Sequence, residues 1–460
     1  MQALATYTLN NLAAVLGVSF GGEDAEFTGV STDTRQIKKD QVFVALKGPN
    51  FDAHDYLLKA KENGAIAAVV QRDVDCTMPQ IIVDDTLLAL GQMANARRNS
   101  FSGKVIGLTG SNGKTTVKEL LASILKTNGN VLATKGNFNN DIGLPLTLLR
   151  IKNNEDFAVI EMGANHPGEI AYLSDITHPD IALITNAGSA HLEGFGSVEG
   201  VAKAKGEIFG GLAENGTAII NLDDNYADYW LSISRQYQQK TFSLVNASAD
   251  VGASTIKMLN GGAEFTLRIL NKDEVTVKLP LSGEHNIANA LVAAAVADSC
   301  GVSIENIKRG LEDFDVVKGR LTFLAGNNGS MVIDDTYNAN LDSSKAAIDV
   351  LKTLAGKKYF VFGDLFESGE NAVNIHQQVG DYAKEQNIDH LLAVGELTRY
   401  TVTSFGAGAQ HFSSKKKLLD YLNPLINDNA AVLIKGSRGM KMEEIVGQLI
   451  DVEKTNAENI

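Results

Sequence analysis

Cysteine is scarce in this chain, basic residues are too few to balance the acids, and no apolar run is long enough to enter a membrane. The two cysteines, Cys76 and Cys300, are too few and too distant in sequence for a disulfide framework, which fits a reducing cytosol. No stretch approaches the roughly 20 apolar residues of a spanning helix. The opening MQALATYTLNNLAAVLGVSF carries no basic segment ahead of its apolar residues, so a signal peptide is not expected and a cytoplasmic location is. Lysine and arginine total 41 against 55 aspartates and glutamates, a formal charge of −14. That balance speaks against nucleic acid, whose phosphate backbone needs a basic surface, yet leaves room for a local basic pocket that takes a small anion. Short-period repeats and low-complexity segments are also missing.

What is present is ordinary globular composition, 44% apolar and 21% charged, which argues against extended disorder. At 460 residues the chain exceeds one compact core, so two or three domains are expected. Short apolar runs alternate with Gly-rich or polar turns and amphipathic stretches, the pattern of βα units and parallel sheets. Strands are predicted at KVIGLTG from Lys104, FAVIEMG from Phe157, DIALITN from Asp180, MVIDD from Met331, KYFVFGD from Lys358, HLLAVGE from His390 and AVLIKGS from Ala431. Each run ends in Gly, Asp, Glu or Asn, as expected where strand carboxyl ends line a crevice. The pattern breaks at NSFSG (99–103) and at VKGR (317–320), dividing the chain into three α/β domains near 1–100, 101–318 and 319–460.

The strongest chemical signal is GLTGSNGKTT, Gly107 to Thr116. A strand enters a glycine loop, and a helix then opens through KELLASILK. Gly110, Ser111, Asn112 and Gly113 would wrap backbone N–H groups around phosphate oxygens, aided by the helix N-terminus. Lys114 would reach the β- and γ-phosphates, the Thr115 hydroxyl would bind Mg²⁺, and Thr116 continues the loop into the helix. The loop is a variant, because Leu108 stands where the strict pattern has glycine. Glu161, at a strand end, is placed to hold Mg²⁺, although a lone glutamate is more often capped or solvated. His191 and Lys205 are weaker signals, since a single histidine is more often structural and a helical lysine usually solvated. TKGNFNNDIGLPLTLL clusters Asn137, Asn139 and Asn140; their amides need partners, either a polar ligand or the turn itself. GEHNIANALVAAAVA puts His285, Asn286 and Asn289 at the head of an alanine-rich helix, where they could meet a purine while the alanines pack on a sheet. IDDTYNANLDS (333–343) and IKGSRGMKME (434–443) likewise place polar groups directly after strands.

Together these segments resemble the Mur ligase family, from STDTR at Ser31 to KGSRGMK at Lys435. TGSNGKTT and the HN-x-x-N helix head are shared across that family. KGNFNNDIGLPLTLL, EMGANHPGEI, TNAGSAHLEGFGS and DDTYNAN are similar to its D-alanyl-D-alanine-adding branch. The resemblance implies a central P-loop parallel-sheet ATPase domain and a C-terminal Rossmann-like domain that closes over ATP. It implies an ATP-dependent ligase joining D-Ala-D-Ala to UDP-N-acetylmuramoyl-tripeptide, with Lys114, Glu161, His191 and Lys205 catalytic. Mg²⁺ would sit on Thr115, Glu161, His191 and Lys205, the last carbamylated by CO₂. ATP would meet the loop residues and Asn286, Asn289, Arg320 and Asp335. Ser31, Asp33, Thr34, Arg35 and Lys47 would serve the nucleotide end of the substrate, and Asn137, Asn139, Asn140, Tyr337, Asn338, Ser437 and Arg438 its other contacts. A monomer is expected. The chain departs from the family pattern at SGEHN, at Leu341 where proline is usual, at Ala53 where glycine is common, and at GDLFESG. None of these removes a proposed metal or phosphate ligand. Alternatives are a sister Mur or folyl-polyglutamate-type ligase, a partner-regulated P-loop ATPase, and a non-catalytic nucleotide binder.

Overall fold

A computed structural model describes residues 8–367 and 369–451. The strands form three separate α/β sheets, plus a small hairpin, Lys47–Gly48 with Phe51–Asp52. The first sheet has four parallel strands in the order Val30–Ser31, Gln41–Val44, Ala65–Val70, Gln80–Ile82. The third has six strands, parallel except for the edge strand Thr322–Ala325.

The central sheet has nine strands, and Lys104–Thr109 lies within it, between Ile181–Ile184 and Phe157–Glu161. Helices cover both faces, so these strands are apolar throughout rather than alternating. Side-chain direction still alternates: Ile106, Leu108, Val159 and Leu183 point into one core, Val105, Ile160, Ala182 and Ile184 into the other. The helix Lys114–Lys126 follows the glycine loop and buries Val117, Leu120, Leu121, Ile124 and Leu125, a one-face helical spacing. Full burial of each such side chain is worth about 1.5–3 kcal/mol. Helix Glu284–Ser299 packs beside it, and its run Ala293–Ala297 is wholly buried in the same core. Small side chains allow that close approach.

All seven predicted strands are present, and the α/β class holds. Not anticipated was an antiparallel ribbon, Val251–Leu259, Gly262–Ile269 and Val275–Leu279, which extends the central sheet. Its signal was the Asn260–Gly261 turn, with Gly261 at φ +79°, between two runs of strand length.

The helix Thr86–Asn99 ties the first sheet to the central unit. Leu90 and Met93 pack in the first core, while the buried Arg97 and Arg98 reach out of it. Arg97 donates to Ile151 O and Arg98 to Thr177 O, His178 O and Asp180. Two of the family departures are explained locally. Leu341 is the first residue of helix Leu341–Thr353, a position that favours proline without requiring it, and its side chain is buried. Ala53 opens a short 3₁₀ turn without a positive φ, so glycine is not needed there.

Candidate active site

The glycine loop is shaped by close packing as well as by turn geometry. Gly110 has φ +149°, and a Cβ there would fall 1.9 Å from Thr185 Oγ1; at Gly113, φ +81°, it would fall 2.5 Å from Asn289 Oδ1. Thr185 and Asn186, at the end of the neighbouring strand, brace the loop. Thr185 Oγ1 donates to Asn112 O at 2.6 Å, and Asn112 N donates to Asn186 Oδ1 at 3.0 Å. Lys114 Nζ donates to Gly110 O at 2.6 Å, folded back across the loop. Burial pushes its pKa down, against the opposing pull of Glu161.

Glu161 is almost fully buried. Its carboxylate accepts from Asn139 Nδ2 at 2.8 Å and from Thr115 Oγ1 at 3.3 Å, and no cationic side chain pairs with it among the described residues. A buried carboxylate bonded only to neutral donors, with Lys114 near enough to feel it, fits a cation site. Lys205 is also buried, with Nζ 5.4 Å from the centre of the Phe195 ring. Burial first, and then the charge of Lys114, push its pKa down to about 7. His191 adopts a left-handed backbone, φ +54°, and its Nδ1 lies 2.6 Å from Glu367 Oε2. Among the described residues no three His, Cys, Asp or Glu side chains close on one point. A Mg²⁺ site built from one carboxylate, a hydroxyl and phosphate oxygens does not require such a cage.

Two cavities meet at the loop. A larger one of about 1200 Å³ is lined by Lys114, Thr115, Glu161 and His191, and extends to Leu87 and Leu88 on one side and to Ser437 and Arg438 on the other. A smaller one of about 310 Å³ lies across Asn112 and Gly113, walled by Asn286, Asn289 and Asp335. Arg320 borders both and stacks on Tyr337 with its guanidinium carbon 4.2 Å from the ring centre. His285 also faces the smaller cavity, its pKa pushed down to about 4 by burial.

Apart from Gly110 and Lys205, which line neither cavity, the predicted residues fall into three groups. Gly113, Thr116, Asn286, Asn289, Arg320 and Asp335 border the small cavity. Asn137, Asn139, Asn140, Tyr337, Asn338, Ser437 and Arg438 border the large one. Within it Asn139 holds Glu161, and Asn140 Oδ1 accepts Gly143 N, so these two amides serve the protein itself. Ser31, Asp33, Thr34, Arg35 and Lys47 border neither cavity. Ser31 ends one strand of the first sheet and the others follow the carboxyl ends of that strand and its neighbour; there Arg35 Nη2 pairs with Asp33 at 2.8 Å and lowers that carboxyl's pKa.

Sequence reasoning missed the braces. Lys435 is buried with Nζ 2.5 Å from Asp335 Oδ2, and Asn340 both caps helix Leu341–Thr353 and donates to Asn112 Oδ1 at 2.8 Å. Asp342 accepts from Ser189 N at 2.6 Å, and Asp224 accepts from Ala187 N at 2.8 Å.

Three family models cover the chain in succession: the Mur ligase family catalytic domain over residues 26–98, the Mur ligase middle domain over 108–297, and the Mur ligase glutamate ligase domain over 319–438. The UDP-N-acetylmuramoyl-tripeptide–D-alanyl-D-alanine ligase of Escherichia coli K12 is 46% identical over 96% of this chain and 98% of its own length. The chain belongs to the Mur ligase family. Among solved structures, MurF from Acinetobacter baumannii superposes with a TM-score of 0.92 at 37% identity, over 96% of this chain and 98% of that one. The MurF ligase of Thermotoga maritima, solved in complex with ADP, gives a TM-score of 0.83 at 28% identity, over 94% and 98%. Within this Mur ligase the smaller cavity lies between the middle and C-terminal family regions, and the larger also reaches Leu87 and Leu88 in the first.

Proposed function

We propose that this Mur ligase joins D-alanyl-D-alanine to the tripeptide carboxylate of UDP-N-acetylmuramoyl-tripeptide, consuming ATP and releasing ADP and phosphate, in the synthesis of peptidoglycan precursors. The observation that carries the reading is the pair of cavities divided by the glycine loop. The smaller suits a nucleoside, while the larger starts at Lys114 and touches all three sheet units. The 46% identity to the E. coli ligase over nearly the whole chain supports the choice of substrates. On this reading residues 1–100 hold the UDP-sugar peptide, 101–318 hold ATP and 319–460 bring the dipeptide. The same reading takes the monomer as the acting unit, and the free cysteines suit the cytoplasm.

A carboxylate is a poor acylating agent. Its oxygen attacks the γ-phosphorus of ATP, the bond to the bridging oxygen breaks, and ADP leaves an acyl phosphate behind. The dipeptide amine then adds to the carbonyl carbon, loses a proton, and the tetrahedral intermediate expels phosphate. The first step brings two anions together, so Lys114 and the loop N–H groups must stabilise charge on the transferring phosphoryl group. Mg²⁺, when bound, supplies further positive charge. Thr115, Glu161, His191 and carbamylated Lys205 would hold it. Carbamylation requires a neutral amine, and burial gives Lys205 one near neutral pH; adding CO₂ releases a proton and turns the side chain into an oxygen ligand. Asn286, Asn289, Arg320 and Asp335 orient the nucleotide.

The test is ATP-dependent phosphate release with the UDP-linked tripeptide, comparing D-Ala-D-Ala with single amino acids. Release that needs both tripeptide and dipeptide is expected. Release with one amino acid would move the chain to a sister branch of the family, and none with any acceptor would overturn the reading.

A further inference from the structure

His191 and Glu367 come from different domains. His191 follows the central strand Ile181–Ile184, and Glu367 follows the C-terminal strand Lys357–Gly363. Their side chains meet at 2.6 Å through Nδ1, and both border the large cavity with Thr115 and Glu161. A carboxylate accepts only, so Nδ1 carries the proton, and in the neutral ring Nε2 keeps its lone pair. Both residues have left-handed backbones, φ +54° and +58°, uncommon for side chains of this size. Such conformations persist where surrounding structure enforces them. On the Glu367 side the enforcement is visible in the three residues before it: Asp364 accepts from the backbone N–H groups of Glu396, Leu397 and Thr398, Leu365 N donates to His376 Nε2, and Phe366 N donates to Ser437 Oγ.

We propose that Glu367 is a positioning residue that holds His191 in the Nδ1–H tautomer and leaves Nε2 to the divalent cation, so that seating the C-terminal domain completes the metal site. The arrangement is the carboxylate–histidine–metal relay, in which the outer carboxylate fixes the ring and raises ligand basicity. It rests on the metal-site part of the function proposed above. Glu367 is itself 59% exposed at its side chain, so replacing it should leave the fold intact.

The experiment is Mn²⁺ titration in the presence of ADP, followed by electron paramagnetic resonance. It compares the full-length chain with Glu367→Ala, Glu367→Gln, His191→Ala and the double variant. Glu367→Ala should weaken Mn²⁺ binding on the order of 10- to 100-fold, with metal-free ADP binding unchanged and a smaller loss for Glu367→Gln. In the His191→Ala background the second change should have no further effect. Mn²⁺ affinity of Glu367→Ala within about twofold of the parent would overturn the proposal, as would an equal loss in the absence of His191. A parent enzyme that binds no Mn²⁺ with ADP would remove the metal site itself and Glu367's role with it. Normal parent binding beside an unaffected variant would remove Glu367 alone.

Discussion

Lys435 closes the strand Ala430–Lys435 between two parallel neighbours, and both it and its partner Asp335 are buried. Burial depresses the lysine's pKa while Asp335 pulls it back up. Replacing Lys435 with methionine keeps most of the stem's packing and removes the charge, together with the bond from Nζ to Asn338 O at 3.1 Å. Among the described residues the Asp335 carboxylate would then keep only the bond from Leu321 N, at 3.2 Å. Breaking a buried pair from one side costs about 3–5 kcal/mol, because the remaining charge is stranded. Pairing Lys435→Met with Asp335→Asn strands no charge, so the double variant should lose only about 1–2 kcal/mol. Native-state hydrogen exchange at the amides of Val332–Asp335 and Val432–Ile434 reads this locally. Exchange in the single variant should accelerate by roughly 10²- to 5 × 10³-fold, and in the double variant far less. The ATP KM should rise in both, since Asp335 walls the smaller cavity. Exchange within about fivefold of the parent, or a double variant as labile as the single, would refute the reasoning.

Lys114→Ala should stay folded and lose a hundredfold or more in turnover, about 3–4 kcal/mol of charge stabilisation; half the parent rate would contradict its role. Gly113→Ala must hold alanine at φ +81°, costing roughly 1–2 kcal/mol, and displace Asn289, so the ATP KM should climb; an unchanged KM counts against the loop geometry. Lys205→Ala should be inactive and partly rescued by a short-chain carboxylate, whereas full activity without rescue would mean that another lysine is modified. For Lys205 itself the depressed pKa means that the neutral, CO₂-reactive form grows as pH rises through about 7. Reactivation of CO₂-stripped enzyme by bicarbonate should therefore climb across that range, and a climb delayed to about pH 10 would show an ordinary lysine.

The fold was legible where one residue run carried its own signal. KVIGLTG, FAVIEMG and DIALITN are apolar on both faces because both are covered, and each stops at a polar group on the crevice side. The ribbon at 251–279 was not, because one of its faces is partly solvated and its edge strands mix polar with apolar residues. In the site, the same division holds. Residues such as Glu161 and Asn289 are marked by their place at a strand end or at a helix head. Lys435 and Asp335 lie 100 positions apart, and Asn340 and Asn112 lie 228 apart, so no local pattern announces either pairing. Asn139 reads as a ligand amide in sequence and acts in the structure as the clamp on Glu161.

The contacts that seat the C-terminal domain on the loop have a common character. Asn340 meets Asn112, Asp342 meets Ser189 N and Glu367 meets His191; of the apolar side chains in that region, Leu192 packs against cores on both sides. Each neutral hydrogen bond is worth about 0.5–1.5 kcal/mol net and a bond to a charged group about 1.5–3, so seating is held by a few kcal/mol rather than by a continuous core. An acyl phosphate hydrolyses if water reaches it, which favours a closed site during the reaction. Products of the size proposed here need the same site to open. Polar contacts of modest strength, placed directly on a loop residue and on the histidine proposed above as a metal ligand, meet both demands. They can be broken on each turnover without unfolding either sheet.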